Sequence, residues 1–352
     1  MRTMPSLEHP RMQERITTDC DEVAGSGGLV DVEPEGALLK DALRGLVGVF
    51  ALHDAILIGY LALTTIVLLG APPTELRAQC MNRNLAGIAA LVSVCVLVRR
   101  ATFLAPLLRS VLYRLSLVGA FLLNYLSLRT LLPAVRSDSV DAQLLHIDLL
   151  LFRVEPALWM ERFNTRPIVE WFSFFYFSYF LICFLSMVLA VWVARPGRGT
   201  TEYAVGSTIV YCVGQLGYMA VPAYGPIQAL SHLYQGPLDG GFFWGCVSSV
   251  VQAGGAMKDV FPSLHTAAPL WFALYTFHRA RTDRRLFWLA VVAAFFSMNI
   301  IVSTMLLRWH YAVDVVAGVF LAAGTAWLTP RLVRWEEGLR ARMGQPQPWS
   351  FR

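Results

Sequence analysis

Along the chain, hydrophobic positions gather into long unbroken runs separated by short polar segments. They do not alternate with polar positions at the spacing of a half-buried helix or strand. A helix crossing a bilayer needs about 20 consecutive, mostly apolar residues. Eight stretches meet or approach this: 47–70, 84–98, 111–132, 171–194, 203–221, 264–278, 286–307 and 311–328. The second and sixth are short. The pattern predicts an all-α polytopic membrane bundle of about eight transmembrane helices. Two segments between runs, 133–170 and 222–262, are unusually long, and loops of that length tend to be functional or re-entrant. The first holds Asp148 to Phe152 and Trp159, a half-apolar stretch suited to the membrane interface. The second holds Gly225, Gly240-Gly241 and Gly254-Gly255, expected to break any helix and to allow close backbone approach. Aromatic residues crowd 171–180, read as an interfacial belt running into a packed helix.

Composition agrees with the pattern: 56% of the residues are hydrophobic, 15% are charged, and the mean hydropathy is +0.53. The net charge of +5 hides a split, because residues 1–38 are acidic and the remainder is basic. The basic side chains sit at run ends, not in one stripe, which argues against a nucleic-acid partner. They follow the positive-inside bias, with Arg99, Arg100, Arg195, Arg198, Arg279, Arg281, Arg284, Arg285, Arg331 and Arg334 among those on the inner side. Both termini are then cytoplasmic, as an even number of crossings requires. Residues 1–38 lack an apolar core and read as a disordered cytoplasmic tail, residues 39–104 as two N-terminal spans, and residues 331–352 as a basic cytoplasmic tail. Cys80 and Cys246 fall in outer segments, where a pairing stays open. His53, His146, His232 and His278 read as interfacial polar residues.

Two segments place polar residues where hydropathy alone would not. One is Phe261-Pro262-Ser263-Leu264-His265-Thr266, at the start of the sixth run. The other joins Ser303-Thr304 to Arg308-Trp309-His310-Tyr311 and Asp314, between the last two runs. Two crossings separate His265 from His310, so both return to one face, external under the positive-inside assignment. Helix N-termini at both places would offer unpaired N–H groups to an anion. His310 and Asp314 are four apart and share a helix face. The carboxylate can fix one ring nitrogen and leave the other as a nucleophile. Arg308 suits phosphate oxygens, Ser263 can cap its helix or touch a ligand oxygen, and His265 can serve as acid and base. The set fits phosphoryl transfer through a phosphohistidine. A metal site from His265, His310 and Asp314 fits less well, because Arg308 and the helix ends favour an anion. A transporter would carry its charges mid-span; here they cluster at one face.

At these residues the chain resembles the type 2 phosphatidic acid phosphatase and haloperoxidase superfamily, and within it the branch containing inositol phosphorylceramide synthases. Pro262-Ser263-Leu264-His265 matches one motif; His310 and Asp314, with Ser303 upstream, match another. Thr304 stands where phosphatase members carry Arg, and Trp159 stands at the lysine position of their first motif, ahead of Arg166-Pro167. The resemblance implies a six-helix catalytic core over 105–330 and a reaction without metal or other cofactor. It makes His310 the nucleophile, Asp314 its partner and His265 the acid. Ser303 and Thr304 join Arg308 and Ser263 as phosphate contacts, and Asp148, Tyr224 and Lys258 are further candidates for contact with lipid. The implied activity is head-group transfer onto a phospholipid or sphingolipid alcohol, with phosphate-ester hydrolysis as the alternative.

Overall fold

The structure, a computed structural model, describes residues 35–188 and 197–351. Most of the expected disordered tail, the end of the fourth run and Arg195 lie outside the described residues. The chain divides into two units, Met1–Asp41 and Ala42–Arg352. Thirteen α-helices and no strand are found among the described residues. They are α1 (Glu35–Val49), α2 (Leu52–Leu69), α3 (Glu75–Arg100), α4 (Pro106–Val135), α5 (Asp141–Phe152), α6 (Pro156–Met160) and α7 (Arg166–Val188). The chain continues with α8 (Arg198–Ala220), α9 (Pro226–Ala229), α10 (Phe242–Gly254), α11 (Leu264–Ala280), α12 (Phe287–Leu306) and α13 (Ala312–Arg342).

Helices occupy all eight expected positions, but only six (α2, α3, α4, α7, α12 and α13) are long and apolar enough to cross a membrane by length and composition. The two that fall short are α8 and α11. At 17 residues α11 is one residue too short, and both helices carry polar side chains that the bundle buries, among them Glu202, Thr208, Gln215, Thr266 and Thr276. The first run also differs from its expected bounds. Instead of one helix over 47–70, the chain breaks after Val49 and restarts at Leu52. The groups freed by the break are taken up: Asp54 Oδ2 accepts the Ala51 N–H at 2.8 Å, Glu336 accepts that of Leu52, and Arg340 donates to the Phe50 carbonyl.

These contacts show what α13 does at its far end. It runs well past the expected span to Arg342, and the segment behind it folds back where a basic tail was expected. Trp349 stacks on His53 with ring centroids 5.4 Å apart, and Arg99 donates to the Pro348 carbonyl. The two N-terminal spans are thereby fastened to the helix that carries His310 and Asp314 at its other end. His53 is fully buried in this cluster and is no interfacial residue. Cys80 and Cys246 are both free thiols, Cys80 buried within α3.

The two long segments between runs, 133–170 and 222–262, are structured. α5 exposes Leu150, Leu151 and Phe152, the face expected at a membrane interface. Within 222–262 the glycines bound a helix instead of excluding one. Gly241 precedes α10 and Gly255, at φ +63°, closes it. The Glu170 carboxylate caps α10 from α7, accepting the N–H groups of Gly241, Phe243 and Trp244.

Candidate active site

Two helix starts are held against each other. Ser263 caps α11 by accepting the Thr266 N–H at 3.2 Å, and its own N–H donates to the Asp314 carbonyl at 3.0 Å. This approach requires Gly318 in α13, where a Cβ would lie 2.6 Å from the Ser263 carbonyl oxygen. On the other side, the α12–α13 connection closes tightly around Arg308, a non-glycine residue in the left-handed region at φ +67°. The Thr304 carbonyl accepts the N–H groups of both Trp309 and His310 there. Gly225, at φ +82°, packs so closely that a Cβ would lie 2.3 Å from the Trp309 carbonyl oxygen.

The outcome is a histidine pair with ring centroids 5.9 Å apart. Asp314 Oδ2 lies 3.6 Å from His310 Nδ1, ion-pair range and just beyond a direct hydrogen bond. This leaves Nε2 of His310 as the free nitrogen. The His265 imidazole is wrapped by α7, stacked on Tyr176 at 4.4 Å and tilted against Tyr179 at 4.2 Å. Its Nε2 has no hydrogen-bond partner among the described residues. The aromatic run is therefore more than a belt. Trp171 and Phe174 point outward, while Tyr176, Tyr179 and Phe180 wall the site. Their i, i+3, i+4 spacing was the available signal.

The expected anion cradle is differently used. The first amides of α13 are already occupied: Asp148 accepts those of Ala312 and Val313 at 2.7 and 2.8 Å, and Asp314 accepts that of Tyr311 at 2.9 Å. Asp148 is completely buried in this capping role, away from lipid. Arg308 also turns away, donating to the Gly236 carbonyl and to Glu161 while covering the Tyr234 ring. Ser303 and Thr304 donate to carbonyls one turn back in their own helix. Lys258 is buried on the carbonyls of Ser137 and Asp138. Tyr224 does line the cavity beside the histidines. The structure thus brings together His265, His310, Asp314 and Tyr224; the remaining candidates brace the walls.

Three acidic residues had no role assigned from the sequence. Asp141 accepts the N–H groups of Tyr224 and Gly225 and the Tyr311 hydroxyl, tying the 222–226 loop to the start of α13. Burial, with the charge of neighbouring Asp148 added, pushes the Glu155 carboxyl up to about 8. Asp259 faces the histidines, and burial raises it to about 6, opposed by His310. None of the three sits in a recognisable motif; only their contacts reveal them.

Residues 142–328, more than half of the chain, match the family model of the PAP2 superfamily. No curated protein and no solved structure matches the chain. The matched region holds the histidine pair, Asp314 and the helices that position them, and membership supports a phosphatase or phosphotransferase activity on lipid. The chain belongs to the PAP2 superfamily.

Proposed function

We propose that the protein is a lipid phosphotransferase that moves a phosphoryl head group between lipid alcohols through a phosphohistidine on His310. The supporting observation is the histidine pair itself, facing one cavity with a carboxylate behind one ring only. Nε2 of His310 attacks phosphorus, and the N–P bond forms as the bond to the leaving oxygen breaks. His265 gives its proton to that oxygen, so the first lipid departs as a neutral alcohol. The incoming alcohol then returns a proton to His265, its oxygen attacks phosphorus, and the N–P electrons go back to His310. The developing charge on His310 is met by Asp314. The arriving phosphate anion favours a protonated His265. Every charge change is carried by these three side chains, so the reaction needs no metal or cofactor.

Transfer is preferred to hydrolysis because α10 and the aromatic face of α7 line the cavity at the histidines with largely apolar surface, which suits a lipid acceptor better than water. Thr304 and Trp159, which stand where the phosphatase motifs carry Arg and Lys, support a reading as a member of the inositol phosphorylceramide synthase-like branch. The basic run ends favour cytoplasmic termini and a site on the outer face, reached by eight crossings. Arg308, Ser263, Ser303 and Thr304 are assigned to positioning the phosphate-binding walls.

The test is incubation of the purified protein with phosphodiester and phosphomonoester lipids, with and without a long-chain alcohol acceptor. Mass spectrometry should find the head group on the acceptor, in amounts that depend on acceptor concentration. Inorganic phosphate as the only product, unaffected by acceptor, would replace the transferase with a phosphatase. Release of no phosphorus-containing product from any substrate would remove the enzymatic reading.

A further inference from the structure

Two cavities meet at the histidine pair. The outer one, about 460 Å³, lies under α10 and the 224–231 loop and is lined by both His265 and His310. The inner one, about 260 Å³, runs between α4, α7, α8 and α11 and is lined by His265 without His310. Tyr125, Phe180, Asp259 and His265 border both.

This asymmetry has a chemical meaning. In an in-line displacement the attacking and leaving atoms lie on opposite sides of phosphorus. With His310 as attacker, the oxygen that leaves, and later the oxygen that arrives, must face His265. We propose that the inner chamber is the binding site for the lipid alcohol, holding in turn the departing and the arriving long-chain alcohol, while the outer cavity holds the head-group substituent. The proposal rests on the phosphohistidine reaction described above.

The chamber's walls suit that occupant. Leu122 of α4 and Phe184 of α7 line it while remaining 55% and 57% exposed on the outside of the bundle. An alkyl chain can therefore enter sideways from the bilayer. Deep in the chamber the polar groups are turned inward on each other: Tyr211 donates to Cys183 Sγ at 3.2 Å, and the hydroxyls of Tyr203 and Ser186 lie 2.9 Å apart. That end presents a surface suited to hydrocarbon. Next to the histidines the lining becomes polar, with Tyr218, Gln215 and Asp259. The ligand class is thus a long-chain alcohol with polar substituents beside its hydroxyl. One chamber serving both alcohols requires the first to leave before the second enters. Kinetics are then ping-pong, and the product alcohol competes with the acceptor.

The test uses the full-length protein, a long-chain phosphodiester lipid, a soluble nitrophenyl phosphodiester, and a long-chain alcohol carrying a diazirine on its alkyl chain. Met187→Trp and Ser207→Phe, which fill the chamber, should lower kcat/KM for the long-chain lipid by roughly 10–100-fold more than for the soluble ester. The diazirine alcohol should label segments of α4, α7 and α8 in the wild type, and unmodified alcohol should compete the label away. Equal losses on both substrates, or labelling confined to α10 and the 224–231 loop, would overturn the chamber assignment while leaving the chemistry intact. Failure of the wild type to cleave either ester would instead overturn the phosphohistidine reaction. Should a variant fail to fold, the labelling of the wild type decides alone.

Discussion

Among the described residues two buried histidine–carboxylate pairs stand, one near each end of the α13 helix, in different surroundings. His310 and Asp314 approach to 3.6 Å, and His53 and Asp54 to 3.8 Å, with all four side chains almost completely buried. By burial and separation they are nearly equivalent. Their surroundings are not. His53 is covered by Trp349, its Nε2 lies 2.8 Å from the Tyr113 hydroxyl, and that hydroxyl also donates to Asp54. His310 instead lines a cavity that it shares with the His265 imidazole. On the proposed reading, the pair that borders a cavity can react, while the pair covered by Trp349 acts as a fastening.

The largest effect that separates the two pairs is on turnover. His310→Ala should abolish it, since the proposed phosphoryl acceptor is gone, whereas His53→Ala should retain it in whatever fraction remains folded. Steady-state assays on long-chain lipid check this, and the comparison breaks if the two variants lose activity equally. Asp314→Asn should keep the fold and lower kcat by roughly 10²–10⁴-fold, because the charge forming on His310 is no longer met. Asp54→Asn should do no more than lower thermal stability.

Much of this was legible along the chain. The eight apolar runs located eight helices, and the spacing of Pro262-Ser263-Leu264-His265 and of His310 with Asp314 pointed to the histidine pair that the fold brings together. Positive charge was the poorer guide. Arg308 sits two residues before His310, yet its guanidinium faces Glu161 and the Gly236 carbonyl, partners far away in sequence that no local pattern announces. Asp148 was similarly opaque. A carboxylate reaching from one helix to cap another more than 160 residues away leaves no local pattern. His53 could not be told from an interfacial histidine because Trp349, which covers it, lies in a segment whose composition reads as a tail.

Smaller effects sharpen the contrast from the structural side. Trp349→Ala should cost about 3–5 kcal/mol of stability, the range for losing a buried aromatic ring. It should lower the thermal midpoint in detergent while leaving phosphoenzyme formation in place. A loss of phosphoenzyme without a loss of stability would mean that the two ends of α13 are functionally coupled. The smallest effect is on pH dependence. Glu155 titrates at about 8 when folded against an ordinary 4.5, so between those values the folded state holds a proton that the unfolded state has released. Its neutral form favours folding below about 4.5, and that contribution is lost as pH rises towards 8. Glu155→Gln should flatten the fall of thermal midpoint between pH 5 and 8; an unchanged slope would show that Glu155 is ionised in the folded protein.

The central claim is that His310 carries the phosphoryl group. Its most direct test is rapid quenching of the enzyme with a substrate labelled at phosphorus, followed by peptide mapping under alkaline conditions that preserve phosphoramidates. The account predicts an acid-labile, base-stable label on the peptide containing His310, formed and discharged at the rate of turnover and missing in His310→Ala. A label that maps to His265 or to a hydroxyl, or one that persists in His310→Ala, would contradict it.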